Sequence, residues 1–457
     1  MNKLFSSKTK QTGSACRQAG FANILIILIG VGLAIFAGFF LWANFKNDNI
    51  GFNPTNQKAG DQKKKSTDKI DKAKNTNEHG QEETVQATEI YDNSHVQNLP
   101  LCQGSHLLVS SPMDLDKIPI IIPRGGISPL GHVLPSDHGG IMYPRAWGQN
   151  LYIEETEIKA PGDGHIFRIE RTLYSRNGKK EKEDYDIAFS PCREFVVYMG
   201  HVSTISKSLQ KIIDLPKEYC DTHKENDLEY TFCTYPKVDY LTHSGEVIGI
   251  VKSDGIRVSG MDFGAFDTRT AELKFLGNFY PEARKLQTLH NVCPWDYYSS
   301  PLKEQLFDKL AAKSEPKCGS FMQDKDGTIA GNWQVKDYQH QSSDSGDWGQ
   351  QFAVVHDHIN PEIGIIAFGG MIHEPGMLGF EPTHTGVINR EPTEVTADGK
   401  IYCYAMGEGG SLSNQKSSIR SGKILIQLLG RTTLKAEFQQ GSCDTIFKFN
   451  SPTIYER

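Results

Sequence analysis

The residues best suited to chemistry in this chain are histidines and carboxylates that lie beside glycines. The segment "DHGGIM" contains His138 and, four residues later, Met142. Farther along the chain, "YMGHV" contains His201 and "SGMDF" contains Asp262. Imidazole and carboxylate groups are common zinc ligands in proteins, whereas a thioether is a soft, neutral donor. These residue types are consistent with a metal site, with the remains of one, or with a coincidental arrangement.

The segments around these residues are short apolar or alternating runs separated by glycine, proline, asparagine and aspartate. Short runs separated by these residues are typical of strands joined by turns, so strands should position the candidate residues. The relevant runs are "IKAPGDGHIFRI", "DYDIAFS", "VVYMGHVSTI" and "SGEVIGIV". In this part of the chain, apolar spacing and a capping signal make residues 203–213 and 300–313 the clearest helix candidates.

In chain order, these segments resemble the β-sheet core of the lysostaphin-type zinc endopeptidases, which cut peptidoglycan cross-links. That family carries a His-x-x-x-Asp turn, an Ala-x-x-Asp-Gly strand pair, a Tyr-x-His-Leu segment, a Gly-Asp turn and a final His-x-His strand. The similar region covers roughly residues 130–267. The resemblance implies an antiparallel, peptidase-like β domain there.

The resemblance assigns a position in the family's site to each candidate. It places His138 at the first zinc ligand and Met142 at the ligand aspartate. It places His201 at a catalytic histidine that does not bind zinc, with one extra residue in the segment. Gly260 stands at the second catalytic histidine and Asp262 at the third ligand. His138 and Asp262 would then be vestigial metal ligands, and His201 a vestigial catalytic residue.

The donor types decide what such a site could do. Catalytic zinc needs three protein ligands and an open position for water, whose pKa the metal lowers to about 7. The substitutions at Met142 and Gly260 therefore predict a non-catalytic derivative without a cofactor. In an alternative, Asp137 or His132 moves into the ligand set and the protein is an active zinc metallohydrolase. A structural interpretation of His201 is a hydrogen-bonded residue at the edge of the core.

A second group of histidines occurs later in the chain. In "VVHDHI", His356 and His358 are two residues apart and would share one face of a strand. Other possible ligands follow them: His373, Glu374, Glu381 and His384. A metal or ligand site is one interpretation, but a solvated or hydrogen-bonded strand face is favoured over it.

The N-terminal region predicts a membrane anchor. Residues 20–45 are uncharged and exceed the roughly 20 residues that span a bilayer core. Basic residues precede this stretch and no acidic residue occurs before Asp48, so the N-terminal tail, residues 1–19, should be cytoplasmic. Residues 46–457 should then be extracytoplasmic in a single-pass membrane protein. A cleaved signal peptide is the alternative.

The same region is also similar to a type IV prepilin leader, in which cleavage follows a glycine and precedes a phenylalanine. Here that junction would be Gly20-Phe21. The family has a glutamate at the fifth position after the cleavage, where this chain has Leu25. A minor pilin-like surface structural protein is therefore a second alternative.

Residues 46–96 predict a disordered polar linker between the membrane and the folded region. They are rich in lysine, aspartate, asparagine, glutamine and threonine, and they hold too little apolar surface to offset the entropy of ordering. Eight of the nine cysteines follow the anchor. An even number in an oxidising compartment favours up to four disulfides over free thiols.

The chain is expected to be mainly β, with two β-rich domains after the linker. The first, 97–280, is the antiparallel peptidase-like domain, and the second, 285–457, is a barrel or sandwich. A net charge of −6 and the lack of a basic stripe argue against nucleic-acid binding. We therefore expect a membrane-anchored protein that binds cell-wall glycopeptide, a surface polymer or a partner protein.

Overall fold

The computed structural model describes residues 96–129, 131–142, 155–213, 219–225, 228–235, 238–252, 260–280, 284–338, 348–405, 421–444 and 446–457. The predicted tail, the transmembrane helix at 20–45 and all but the last residue of the linker lie outside this part of the chain. Among the described residues, no helix is both long enough and apolar enough to span a membrane.

The described residues are mainly β, as the sequence predicts. In chain order the strands are β1 (Ile121–Ile122), β2 (Gly139–Met142), β3 (Thr156–Lys159), β4 (Gly164–Arg176), β5 (Lys179–Cys192), β6 (Phe195–Val202), β7 (Thr204–Ile205), β8 (Tyr219–Glu225), β9 (Leu228–Tyr235), β10 (Tyr240–Thr242), β11 (Val247–Val251), β12 (Gly260–Asp267), β13 (Asn291–Val292), β14 (Gly331–Val335), β15 (Gln351–His356), β16 (Gly364–Phe368), β17 (Gly376–Phe380), β18 (Tyr402–Ala405), β19 (Lys423–Leu428), β20 (Thr433–Gln439) and β21 (Thr453–Glu456). The α-helices of this region are short: α1 (Lys207–Ile213), α2 (Lys285–Leu289) and α3 (Leu302–Phe307).

The first large sheet has ten strands, all of its pairs antiparallel. Its main order is β1-β2-β12-β6-β5-β4-β9-β8, with β10 beside β4 and β13 beside β12. The long hairpin of β4 and β5 turns at Asn177 and Gly178, whose φ angles are 52° and 75°. Positive φ at both turn residues matches the two-residue hairpin turn that suits twisted strands.

One face of this sheet is covered by a small sheet of β3, β11 and β7, by α1 and by residues that follow β13. The covering residues include Trp295, which stacks on Phe263 of β12 with ring centroids 4.7 Å apart. Cys318 also belongs to this core. Residues after the predicted boundary near 280–285 thus pack with the first sheet.

The second large sheet has eight strands in the order β17-β16-β15-β14-β21-β20-β19-β18. Its end strands β17 and β18 also lie against each other, so the sheet nearly closes into a barrel. Alternate residues point inward, and the interior is filled by large side chains such as Trp333, Phe352 and Phe380. This agrees with the barrel or sandwich expected from the sequence.

The eight cysteines beyond the predicted anchor form four disulfides, which confirms the prediction from their even number. The pairs are Cys102–Cys192, Cys220–Cys233, Cys293–Cys318 and Cys403–Cys443. Three link parts of the first sheet and its covering residues, and the fourth lies on the second sheet. Each pair therefore ties residues within one of the two cores or at its edge.

Candidate functional site

The register of three strands brings the candidate residues together on the first sheet. Strand β12 lies between β2 and β6, so Asp262 is opposite Gly140 on one side and Gly200 on the other. His138 directly precedes β2, and His201 follows Gly200 on β6. The sheet thus gathers residues that are more than 120 positions apart in the sequence.

The carboxylate of Asp262 lies between the two imidazoles. Its Oδ2 is 3.2 Å from Nε2 of His138 and 3.3 Å from Nε2 of His201. Both distances exceed the roughly 2.7–2.9 Å of a strong charge-assisted hydrogen bond. His138 and Asp262 are largely buried, while the side chain of His201 is 52% exposed. Ligands from outside could therefore reach the cluster at His201.

A second carboxylate holds each imidazole from behind. Nδ1 of His138 is 2.8 Å from Oδ1 of Asp137, and Nδ1 of His201 is 2.8 Å from Oδ2 of Asp184. Aspartate and histidine side chains therefore alternate along a row of consecutive contacts, in the order Asp137, His138, Asp262, His201 and Asp184. We call these five residues the His–Asp cluster.

The glycines that flank Asp262 leave the room that the cluster needs. A Cβ atom on Gly200 would lie 2.7 Å from Oδ1 of Asp186 and 3.2 Å from Cβ of Asp262. The next residue, His201, has a left-handed φ of 58°, which is uncommon for residues other than glycine, although histidine adopts it more often than most. Such local strain concentrates at functional sites because the surrounding structure must hold it.

The charges of the cluster depend on one another. Burial alone would lower the pKa of His138, but the attraction of Asp262 and the bond to Asp137 raise it well above its ordinary value. The attraction of Asp262 raises the pKa of His201 to about 9. Burial would raise the pKa of Asp262, yet the two histidines hold it well below its usual range. At neutral pH both imidazoles are therefore cationic and Asp262 is ionised.

Two neighbours of the cluster behave differently. Burial, reinforced by Glu170 and Asp184, raises the pKa of Asp186 to about 7. Burial, together with the charge of nearby His138, lowers the pKa of His132 to about 4. The rings of His132 and His138 meet edge to face, with centroids 5.1 Å apart. His132 is thus a neutral neighbour rather than a member of the cluster.

Asp137 is held by residues of β6 and of the chain after β12. Gln287 donates to Oδ2 of Asp137, and Asn291 donates to its backbone oxygen. Tyr198 donates to the same backbone oxygen at 2.9 Å. Arg124 in turn donates to the side-chain oxygen of Asn291 at 2.6 Å. These contacts explain how a turn residue is kept in register with strand residues.

The donor set does not fit the zinc centre that the family resemblance implies. Met142 and Gly260 face each other across β2 and β12, and a Cβ on Gly260 would lie 2.3 Å from the sulfur of Met142. The thioether therefore fills the space that a side chain at residue 260 would need. Among the described residues, no group of three His, Cys, Asp or Glu side chains is arranged to hold a metal ion.

The histidines of the later group do not come together. Nε2 of His356 is 3.2 Å from Glu391, and His384 pairs with Glu394 at 2.9 Å. The ring of His373 packs edge-on against Phe438. The side chain of His358 is only 4% exposed and lies in a small cleft beside His356. The predicted strand face shared by His356 and His358 does not form, because β15 ends at His356. His356 and His384 instead each pair with a glutamate.

Several residues of the site were not predicted from the sequence. Asp184 and Asp186 alternate in "DYDIAFS" and so share a strand face, which is a signal that the sequence does contain. Gln287 and Asn291 give no such signal, because they reach the site only through the path of the chain after β12. Searches against protein families, curated proteins and solved structures found no match for this chain.

Proposed function

We propose that this protein is a membrane-anchored, extracytoplasmic binding protein whose first domain derives from the wall-endopeptidase fold and has lost its zinc chemistry. Its ligand would be a cell-wall glycopeptide or a related surface polymer. The anchor would be residues 20–45, and the linker would carry the binding region away from the membrane. No cofactor and no nucleic acid enter this function.

One observation carries the proposal: Met142 packs against Gly260. In the enzymes that the sequence resembles, these two positions hold a ligand aspartate and a catalytic histidine. A neutral thioether cannot replace a carboxylate in binding zinc, and glycine offers no base. The remaining members of that set, His138 and Asp262, contact each other. Their charges stabilise a compact cluster and leave few groups free for hydrolysis.

The cluster presents the imidazolium of His201 to the solvent and keeps its carboxylates behind this ring. Three aspartates accompany two histidines, and Asp186 adds another carboxyl group beside Gly200. Oδ1 of Asp184 is buried and accepts no hydrogen bond from the described residues. His201 is half-exposed and marks the open side. The carboxylate groups of a wall peptide would pair with this imidazolium.

Retention on purified peptidoglycan tests the proposal. The full chain, solubilised in detergent, should be retained by insoluble peptidoglycan and released by soluble wall fragments. His201→Gln removes the charge of the exposed histidine and should weaken retention about tenfold, the effect of losing one charged contact. His384→Gln is the matched control, since His384 is an exposed histidine that pairs with a glutamate in the segment between β17 and β18.

Other outcomes would refute the proposal in recognisable ways. Absence of retention by the unmodified chain would argue against wall binding. Stoichiometric zinc that is lost in His138→Ala, together with new wall fragments in the supernatant, would establish the alternative of an active metallohydrolase. Cleavage between Gly20 and Phe21, detected by N-terminal sequencing, would support the pilin-like alternative instead.

A further inference from the structure

The segment that ends in His138 is a small hairpin inserted between β1 and β2. We call residues 124–138 the His138 loop; all of them except residue 130 are described. The amide of Gly125 donates to the oxygen of Ser136 at 2.8 Å, and the amide of Ser136 donates to Gly126 at 3.0 Å. Near the tip, Ser128 and His132 exchange backbone hydrogen bonds.

The apolar side of the His138 loop packs on the outside of the second sheet. Ile127 and Val133 of the loop are 4% and 0% exposed. They form one buried cluster with outward-facing residues of β15–β17 and the preceding turn: Ala353, Val355, Ile363, Ile365, Ala367 and Met377. The intervening residues of those strands face the barrel interior instead. The outer face of the second sheet is thus covered by a segment of the first.

Polar and backbone contacts continue the same interface. A Cβ on Gly126 would lie 3.4 Å from Nε2 of His358, and one on Gly125 would lie 2.4 Å from the oxygen of Ser320. The loop backbone therefore approaches both segments closely. Ser136, which lines the same contact, donates through Oγ to the backbone oxygen of His138 at 2.8 Å. The contact between the loop and the second sheet therefore extends through Ser136 to the backbone of His138.

A hairpin of this size has little stability by itself. Isolated two-stranded hairpins are at best marginally stable in water, and local opening is governed by how much apolar surface they bury elsewhere. The His138 loop buries its isoleucine and valine on the second sheet, while its other end supplies Asp137 and His138 to the cluster. The packing of the loop on the second sheet should therefore affect the positions of Asp137 and His138 in the cluster.

We propose that the outer face of the second sheet is the support that positions His138, with Ile365 and Val355 as positioning residues. The second β domain then has a role in the site of the first and is not an independent binding module. This inference rests on the proposed function for the importance of the cluster. Its structural part, the coupling of the loop to the second sheet, is testable without any ligand.

Adjacent residues on β16 provide a matched pair of variants. Ile365 is 3% exposed and faces the loop, whereas Ile366 is 0% exposed and faces the barrel interior. Ile365→Ala and Ile366→Ala remove the same atoms from the same strand. Hydrogen exchange of the full chain, read by mass spectrometry on peptides from the His138 loop, measures the local effect through the amides of Gly125, Ser128 and Ser136.

We expect exchange in the loop to become about tenfold faster in Ile365→Ala while peptides from β5 are unchanged. Ile366→Ala should lower the melting temperature without this selective effect. Ile365→Val should restore most of the protection, and it also serves if the alanine variant does not fold. Equal loop exchange in the Ile365 and Ile366 variants would overturn the inference.

Retention on peptidoglycan separates this inference from the proposed function. Ile365→Ala should reduce retention together with loop protection, and Ile365→Val should restore both. If the unmodified chain is not retained, the proposed function fails, but the exchange result still decides whether the second sheet holds the loop. If retention is normal in Ile365→Ala although the loop exchanges faster, the positioning role is refuted and the proposed function stands.

Discussion

At the scale of single residues, Asp262 sets the charge state of the whole cluster. Of the three carboxylates in the cluster, only that of Asp262 contacts both imidazoles. Its attraction is the largest cause that raises the pKa of His201. Without this carboxylate, two cationic rings would lie near each other. His138 would keep only its contact with Asp137, and His201 only its contact with Asp184. The charge state of the cluster therefore depends on the carboxylate at residue 262.

We predict that Asp262→Asn lowers the pKa of His201 from about 9 toward its ordinary 6.5. Asparagine keeps the size of the side chain and removes the charge that favours the imidazolium. Full-chain protein labelled with ¹³C at histidine would report the pKa by NMR titration. Asp239→Asn, which changes an exposed carboxylate elsewhere on the first sheet, should leave the pKa of His201 near 9.

The same shift predicts how stability depends on pH. Because the folded-state pKa of His201 is raised, its contribution is fully present below pH 6.5 and is lost as the pH rises through about 9. In Asp262→Asn this loss between pH 6.5 and 9 should shrink. An unchanged pH profile of urea unfolding over that range would contradict the assignment of Asp262 as the main cause.

At the scale of elements, the sequence predicts strands well and their partners poorly. Alternation and turn residues are local, so "DYDIAFS" and the Asn177-Gly178 turn can be recognised from sequence alone. The meeting of Asp262 with Gly140 and Gly200 depends on register between distant strands, which local pattern does not encode. Only the resemblance to the endopeptidase family, in which similar motifs occur in the same order, assigned these distant segments to one site.

The helix predicted at residues 300–313 shows a second limit. Helix α3 ends at Phe307, because the following backbone bonds to strand β1 instead of continuing the helix. The amide of Ile121 donates to the oxygen of Lys309, and the amide of Ala311 donates to the oxygen of Ile121. Apolar spacing favoured a longer helix, but tertiary pairing with a distant strand determined where it stops.

The disulfides differ in how much chain they close, which predicts unequal contributions to stability. Cys102–Cys192 closes a span of 90 residues, whereas Cys220–Cys233 closes 13 within one hairpin of neighbouring strands. From loop entropy alone, opening them should cost roughly 4–5 and roughly 3 kcal/mol. Urea unfolding of the paired Cys→Ala variants measures both values.

The hairpin pair is the internal control for this comparison. Its strands are joined along their length by backbone hydrogen bonds, so its loss should leave the ends close together in the folded protein. A greater loss of stability from opening Cys220–Cys233 than from opening Cys102–Cys192 would contradict the loop-length argument. It would indicate that native contacts around the hairpin depend on the bond.

At the scale of the whole molecule, the two sheets have separate cores but interleaved covering segments. Each core could be expected from two β-rich stretches of sequence. The sequence does not reveal that residues after 285 cover the first sheet, or that the His138 loop covers the second. Both features arise from side chains such as Trp295 and Val133, which meet their partners only through tertiary packing.

This interleaving predicts that the two sheets unfold together. The described residues belong to one compact unit, and the amide of Leu276, between β12 and β13, donates to Asp324, which precedes β14. The amide of Lys313 likewise donates to the oxygen of Ile359 between β15 and β16. Exposing one core would therefore remove contacts that stabilise the other.

Hydrogen exchange in increasing urea measures this cooperativity on the full chain with its disulfides intact. Peptides from β5 in the first sheet and β19 in the second should reach the same opening free energy and the same dependence on urea, as expected for one global transition. Residue Ile424 of β19 and Phe189 of β5 are both fully buried, so each peptide reports its own core. If β19 opened at a clearly lower urea concentration than β5, the sheets would be independent folding units. The support of His138 by the second sheet would then have to be a local contact only.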